Sequence, residues 1–255
     1  MIAVQEGFNA NFGFNMTSYY REGSERAEGV RYLFTKIARH YDCINDLQSA
    51  GMHRVWKQRL VSALQIRSKD WVLDLACGSG DLVFRILNSQ SQAHIVGGDF
   101  TLPMLKVARN RSQRHRLLPQ GWVNLDALSL PFPEKVFDVV MMAYGLRNMA
   151  DPLAALHEIA RVLKVGGRVA ILDFGKPTNS LLRPLYYAFL RTVQPTLGWL
   201  FFRDRNTYRY IYESLMRYPA QEGVTHLLQE AGFSSIECMN LTGGIMSLHL
   251  ASKAI

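Results

Sequence analysis

Cysteine is too scarce in this sequence to support a disulfide framework. Cys43, Cys77 and Cys238 are odd in number and widely spaced, which disfavours both paired bridges and a zinc site and points to a reducing, cytoplasmic compartment. No cluster of His, Cys, Asp and Glu has metal-ligand spacing, so no metal is expected. Long apolar runs are missing too. The greasiest stretch, Leu185 to Phe202, is interrupted by Arg191 and Pro195, too broken for a spanning helix but compatible with peripheral contact at the inner face of a membrane. The N-terminus, with Glu6 and no apolar run behind a basic start, reads as neither a signal peptide nor a transit peptide. Internal repeats and low-complexity tracts are absent. Acidic residues are outnumbered, 21 against 29 Lys and Arg, and a net charge of +8 suits an anionic surface of lipid or nucleic acid. The one basic cluster, Arg109, Arg111, Arg114, His115 and Arg116, lacks interleaved aromatics and reads as a solvated helix face. Nucleic acid is therefore not an expected partner.

What is present is enough apolar material, 48% of 255 residues, for one α/β domain with an added lid. Residues 1–64 read as an N-terminal arm and helical extension. Residues 1–30 form the arm, with aromatics at Phe8, Phe12, Phe14, Tyr19 and Tyr20; from Val30 to Leu64 apolar positions recur at helical spacing, broken by Gly51. Residues 65–255 read as the main domain. Trp71 to Leu75, His94 to Asp99, Trp122 to Leu125, Val136 to Ala143 and Arg168 to Phe174 have strand character. Helices are expected at Leu82 to Leu87, Pro103 to Arg114 and Leu153 to Leu163, the last closed by Val165-Gly166-Gly167. A helix from Glu222 to Ala231 and strands Ile236 to Met239 and Ile245 to Ala251 close the chain. This alternation predicts a mostly parallel sheet covered on both faces. Interrupting it, a lid insertion is expected at 178–220, its aromatic segment running from Leu181 to Tyr218.

Val72-Leu73-Asp74-Leu75-Ala76-Cys77-Gly78-Ser79-Gly80-Asp81 is an apolar strand entering a turn of small residues and then a helix. Such a turn brings backbone amides close to a ligand at the carboxyl end of a strand, and side chains at Gly78 or Gly80 would obstruct it. The third glycine of the dinucleotide fingerprint is missing; Leu82 and Val83 follow instead, which disfavours a nicotinamide cofactor. Asp74 precedes the turn. Asp99 ends the next strand, where a carboxylate accepts hydrogen bonds from both ribose hydroxyls; a helix cap is its alternative role. Asp126 and Ala127 end the third strand, beside the expected adenine, with a turn aspartate as the competing reading.

Taken together, these residues resemble the ubiquinone/menaquinone biosynthesis C-methyltransferases, the UbiE or MenG family. The likeness runs nearly end to end. It includes Asn11-Phe12-Gly13-Phe14, Ala38-Arg39-His40-Tyr41-Asp42 with Asn45-Asp46, and His53-Arg54 with Trp56-Lys57. After the glycine turn come Leu130-Pro131-Phe132, Tyr144-Gly145-Leu146-Arg147-Asn148, Arg161-Val162-Leu163-Lys164 and Asn240-Leu241-Thr242-Gly243-Gly244. The glycine turn and Arg-Val-Leu-Lys are common to many methyltransferases; the tyrosine-centred and Asn-Leu-Thr-Gly-Gly elements are more specific. The resemblance implies a Rossmann-like class I S-adenosylmethionine methyltransferase with a seven-stranded sheet. Cofactor contacts are implied at Ser79, Asp99, Asp126 and Ala127, beside Asp74, Gly78 and Gly80. Cys77, where many members have glycine, and Ala143 depart from the pattern and put fine cofactor contacts in question.

The acceptor implied is a demethylated quinol with an isoprenoid tail, methylated at a ring carbon. Arg147, after the fourth strand, is assigned phenolate stabilisation or polarisation of a water, because a guanidinium stays protonated; Asn148 accompanies it. A salt bridge to Asp151 or Glu158 is its structural alternative. Tyr41 is a candidate to orient the quinol hydroxyl and His249 the histidine considered as a base, while His53 is expected to fix the helical extension with Trp56. The lid is expected to receive the tail on its apolar side and to touch anionic lipid through Arg183, Arg191, Arg203 and Arg205. Benzoquinol and naphthoquinol rings stay undistinguished, and a homodimer is left open. Amine N-methylation on the same cofactor half, and a noncatalytic or NAD-binding Rossmann protein, are the competing functions.

Overall fold

In the computed structural model, residues 23–38, 40–89, 92–202 and 206–254 are described. The arm aromatics Phe8 to Tyr20, the Asn-Phe-Gly-Phe element, Arg39, Arg203 and Arg205 lie outside them.

Strands β1 (Trp71–Leu75), β2 (His94–Asp99), β3 (Gly121–Asn124), β4 (Phe137–Ala143), β5 (Leu163–Phe174), β6 (Phe233–Leu241) and β7 (Met246–Lys253) form one sheet in the order β3-β2-β1-β4-β5-β7-β6. Pairs from β3 to β5 are parallel; β7 runs antiparallel between β5 and β6. Alternation explains why both faces are covered. Leu73, Val140, Met142, Val169 and Ile171 enter one apolar cluster, with α6 (Pro152–Val162) and α9 (Ala220–Glu230). Their neighbours Val72, Val139, Met141, Ala170 and Leu172 enter the other, with α3 (Met52–Leu64) and α4 (Asp81–Asn88). Each fully buried aliphatic side chain contributes about 1.5–3 kcal/mol, so the sheet fixes where its carboxyl edge stands.

Three expectations need correction. The arm ends earlier than residue 30: α1 spans Ser24–Ile37, because Ala27, Val30, Leu33, Phe34 and Ile37 form one apolar stripe and Gly29 is tolerated within it. The extension then breaks twice, before α2 (Tyr41–Ser49) and at Ala50-Gly51, both left-handed. Gly166 and Gly167 do not close α6. That helix ends at Val162, and β5 begins at once; between the pairs Phe137 with Leu163 and Val139 with Arg168 the strand loops out over Lys164–Gly167. Gly166 takes φ +72°, and Lys164 Nζ clasps both Asp138 oxygens at 2.7 and 2.8 Å.

Helix α5 (Leu102–His115) links β2 to β3. The aromatic segment folds as α7 (Leu182–Phe202), continuous through Pro195, and α8 (Asn206–Arg217). No described helix is long and apolar enough to cross a membrane.

Candidate active site

In an open sheet, ligands collect where strand order reverses, here between β1 and β4. The turn after β1 holds three left-handed residues, Ala76, Gly78 and Gly80. Its reach is set by β2: Gly98 O accepts from Cys77 N at 3.0 Å, and Asp99 Oδ2 accepts from Gly78 N at 2.8 Å. The other Asp99 oxygen accepts from Thr101 N at 2.7 Å, so one buried carboxylate ties the turn to the start of α5. Burial pushes its pKa up, while the two amides pull against that. Each oxygen keeps a lone pair for a hydroxyl donor.

An open cleft of about 820 Å³, mouth included, lies over this turn. Gly78, Asp99, Asp126, Ala127, Ala143 and Asn148 line it, and α1 roofs it with Ala27, Val30 and Phe34. Asp126 fills the role of turn aspartate, accepting from Leu128 N at 2.9 Å, and lines the cleft as well. Not every expected cofactor residue is there. Ser79 is buried and donates to Asp42 Oδ1 at 2.7 Å, outside the lining. Gly80 serves packing rather than ligand approach: a Cβ there would stand 2.6 Å from Trp122 Cη2. Asp74 lies beneath the turn, both oxygens buried without a hydrogen-bond partner, its pKa held well above the carboxylate range by burial against the pull of the Lys57 ammonium. Burial likewise raises Cys77, which stays a thiol behind the turn.

A second cleft, about 870 Å³ with its mouth, adjoins the first. Phe34, Tyr41 and Tyr144 line both. Leu33, Ile37, Ile44, Trp56, Phe174, Phe189 and Leu190 make most of its wall apolar. Into that wall are set Asn45, Gln48, His53, Tyr144, Arg147 and Tyr186. The Asn45 and Gln48 amide nitrogens, both ring nitrogens of His53 and the hydroxyls of Tyr144 and Tyr186 are buried with no hydrogen-bond partner. An apolar cavity with several unsatisfied polar atoms is built for a largely apolar ligand with a polar end.

Arg147 reaches this cleft from the 3-10 turn Leu146–Asn148 after β4. It pairs with neither Asp151 nor Glu158. Its Nε lies 3.4 Å from Asp173 Oδ1, its guanidinium donates to Ser214 Oγ at 2.8 Å, and it stands 4.7 Å over the Phe174 ring. Asp151 instead caps α6, and Glu158 pairs with Arg161. Asn148 turns the other way, into the first cleft, donating to Tyr144 O at 3.0 Å. Tyr41 stands where the clefts meet, and burial raises its pKa. Tyr144 shares that place in a left-handed conformation, φ +62°, a strained setting for an aromatic residue.

His249 lines neither cleft. It is buried in β7 between Ile171 and Cys238, with Nε2 2.9 Å from Gln221 O, and this removes it as a base. The histidine that does line a cleft is His53, expected to be structural. Trp56, its expected partner, donates to Thr242 Oγ1 at 2.8 Å instead, and His53 faces the second cleft. Asn45, quoted only as part of the family resemblance, and Gln48 were given no site role; the signal available was their spacing from Tyr41, four and seven residues on, which sets all three on one helix face.

Comparison with known proteins places this geometry. The model of the ubiE/COQ5 methyltransferase family matches residues 21–253. The ubiquinone/menaquinone biosynthesis C-methyltransferase of Xylella fastidiosa strain M12 is 40% identical over 245 residues, 95% of each chain. A mitochondrial 2-methoxy-6-polyprenyl-1,4-benzoquinol methylase of Caenorhabditis elegans is 36% identical over 252 residues, covering 98% of this chain and 87% of its own. Among solved structures, a SAM-dependent methyltransferase of Thermotoga maritima aligns with TM-score 0.61 at 16% identity, over 87% of this chain and 99% of its own. A Haemonchus contortus phosphoethanolamine N-methyltransferase, solved with S-adenosyl-L-methionine, aligns with TM-score 0.57 at 18% identity, over 78% and 52%. These last two likenesses concern the fold.

Proposed function

The chain belongs to the ubiE/COQ5 methyltransferase family, and from that premise we propose that it methylates a ring carbon of a prenylated quinol with S-adenosylmethionine. The observation carrying this reading is the pair of clefts joined at Phe34, Tyr41 and Tyr144, one over the glycine turn and one apolar with buried polar atoms. The first cleft fits the cofactor. Asp99 offers its remaining lone pairs to the ribose hydroxyls, Asp126 its free oxygen to the adenine amine, and the Gly78 and Ala127 backbones allow close approach. Ser79 and Gly80 act from behind, Ser79 tying the turn to Asp42 and Gly80 leaving room for Trp122, and Asp74 lies buried beneath them. When bound, S-adenosylmethionine supplies an electrophilic sulfonium methyl. The chain's task is to make the acceptor nucleophilic and to hold it in line, worth several orders of magnitude in rate. Tyr41 orients the ring hydroxyl, Arg147 stabilises the phenolate, and Asn148 steadies the Tyr144 turn between the two ligands.

The lid meets lipid in the same reading. Helix α7 lines the second cleft with Tyr186, Phe189 and Leu190 and on an adjacent flank exposes Leu185, Val193, Trp199 and Leu200, with Leu181 just ahead of it. Exposed Arg183 and Arg191 border that flank. A prenyl tail enters from a bilayer held against it, without any described helix crossing. The test of the reaction is direct. Purified protein, S-adenosylmethionine and reduced short-tail demethylated benzoquinol and naphthoquinol are incubated and the products resolved by mass spectrometry. Methyl addition to at least one quinol is expected and to simple amines none; an amine product with no quinol product overturns the reading.

A further inference from the structure

We propose that His53, backed by Asp46, takes the proton from the ring hydroxyl of the acceptor, an inference that rests on the quinol reading above. Three features of the second cleft carry it. First, Gly51, left-handed at φ +77°, starts α3 so that His53 sits in its first turn, buried and in the cleft lining with Tyr41, Tyr144 and Arg147. Second, the imidazole is oriented from behind: Nε2 lies 3.1 Å from Asp46 Oδ1. Asp46 in turn accepts from Arg54 Nε at 2.7 Å and a terminal Arg54 nitrogen at 2.6 Å, and that pairing holds its pKa below the usual range, so it stays a carboxylate. A carboxylate at that distance favours the ring proton on Nε2 and so the Nδ1 lone pair as acceptor. Third, both ring nitrogens are buried without a hydrogen bond to the protein, Nε2 having Asp46 at ion-pair distance and Nδ1 having nothing. A histidine kept for packing has its nitrogens hydrogen-bonded within the protein; this one has neither, and Nδ1 is open as an acceptor in a cavity where a hydroxyl is due.

The charges around the ring agree with a base that waits unprotonated. Burial first, then Lys57 on α3, depress its pKa to about 4, against Asp81 of α4 and Asp46 of α2, with Arg54 adding to the depression. At neutral pH the imidazole is free to accept. Once the proton has moved, Asp46 and the new phenolate both favour the imidazolium, and Arg147 holds the phenolate. The electron pair released onto the ring forms the carbon–methyl bond as the methyl–sulfur bond breaks, leaving a neutral dienone and S-adenosylhomocysteine. The dienone rearomatises by passing its ring proton to the oxygen, and the proton on His53 leaves to solvent.

Steady-state kinetics with a reduced short-tail quinol test this in wild type, His53→Gln and Asp46→Asn, with S-adenosylhomocysteine affinity measured by calorimetry as the check on folding. His53→Gln is expected to lose about 100-fold in kcat, with cofactor affinity unchanged and part of the rate restored by added imidazole. Asp46→Asn, at a partly exposed position that leaves the cleft lining intact, is expected to lose about 10-fold, which keeps the proposal falsifiable should His53→Gln not fold. Either variant within about threefold of wild type, or a His53→Gln loss that imidazole leaves unchanged, overturns the proposal. Wild type that methylates no quinol overturns the parent reading and this one with it, whereas an active wild type beside an equally active His53→Gln overturns this one alone.

Discussion

Arg147 holds a buried carboxylate and lines the second cleft at once, so its replacement has two separable effects. Removing the guanidinium leaves Asp173, 1% exposed and already raised in pKa by burial, without its ion-pair partner, which costs about 3–5 kcal/mol of stability in comparable pairs. Arg147→Ala is therefore expected to melt well below wild type. Arg147→Lys keeps the charge but gives up the guanidinium fork toward Ser214 and Asp173; a kcat loss of about 10-fold or more with unchanged S-adenosylhomocysteine affinity is expected. Wild-type kcat in the lysine variant would sink the phenolate role. At this scale the sequence was informative where chemistry follows chain position. Asp99 ends β2 and Asp126 follows two residues after β3, so both reach the sheet's carboxyl edge. Asn45, Gln48 and His53 were hidden, because polar residues on one helix face look the same whether that face meets solvent or a cavity. The α1 and α7 helices decide which, and that is a tertiary fact.

Among the elements, α7 is where folding and the proposed membrane approach meet. Its buried side, Tyr186 and Leu190, packs into the core, while Leu181 and Leu185 remain 78% and 69% exposed and Leu200 64%. Leaving three leucines in water gains nothing for the fold alone; each inserted side chain adds a few kcal/mol of membrane affinity. Leu181→Ser/Leu185→Ser/Leu200→Ser is expected to abolish flotation with anionic liposomes and to raise KM for a long-tailed quinol in vesicles. Its rate on a soluble short-tail quinol should stay at the wild-type level. Flotation equal to wild type would refute the docking. Periodicity made the strands legible because buried parallel strands read as unbroken apolar runs. It misplaced Gly166-Gly167, since a glycine pair after a helix looks the same as a cap or as a strand looping out; only pairing to Phe137 and Val139 tells them apart. Pro195 argued against a spanning helix but not against a surface one, and α7 runs through it.

For the whole molecule, pH separates groups by the sign of their linkage. His53 and His249 are buried neutral with pKa values below the ordinary 6.5, His53 at about 4, so the unfolded chain takes up their protons first. Their stabilising contribution is complete above about pH 6.5 and is lost as pH falls through the folded values. Asp74, Asp99 and Asp173, raised by burial, act oppositely: their contribution is complete below about 3.8 and is lost as pH rises through their folded values. Asp46, Asp81, Asp138 and Glu158, held low by Arg54, Lys57, Lys164 and Arg161, lose their contribution only in stronger acid. Between pH 6.5 and 4 the histidine and raised-aspartate effects therefore oppose each other, and the absolute melting curve cannot assign either. A difference can. His249, the carboxylates away from His53 and the growing repulsion of a chain already at +8 are common to wild type and His53→Gln, so subtracting their melting temperatures cancels them, while Asp46, held low chiefly by Arg54, stays ionised over this range in both. The variant is expected to gain on wild type steadily as pH falls from 6.5 toward 4.5. A difference that stays flat over that range means the imidazole is not held neutral at neutral pH, and a base so perturbed would no longer be waiting unprotonated in the cleft.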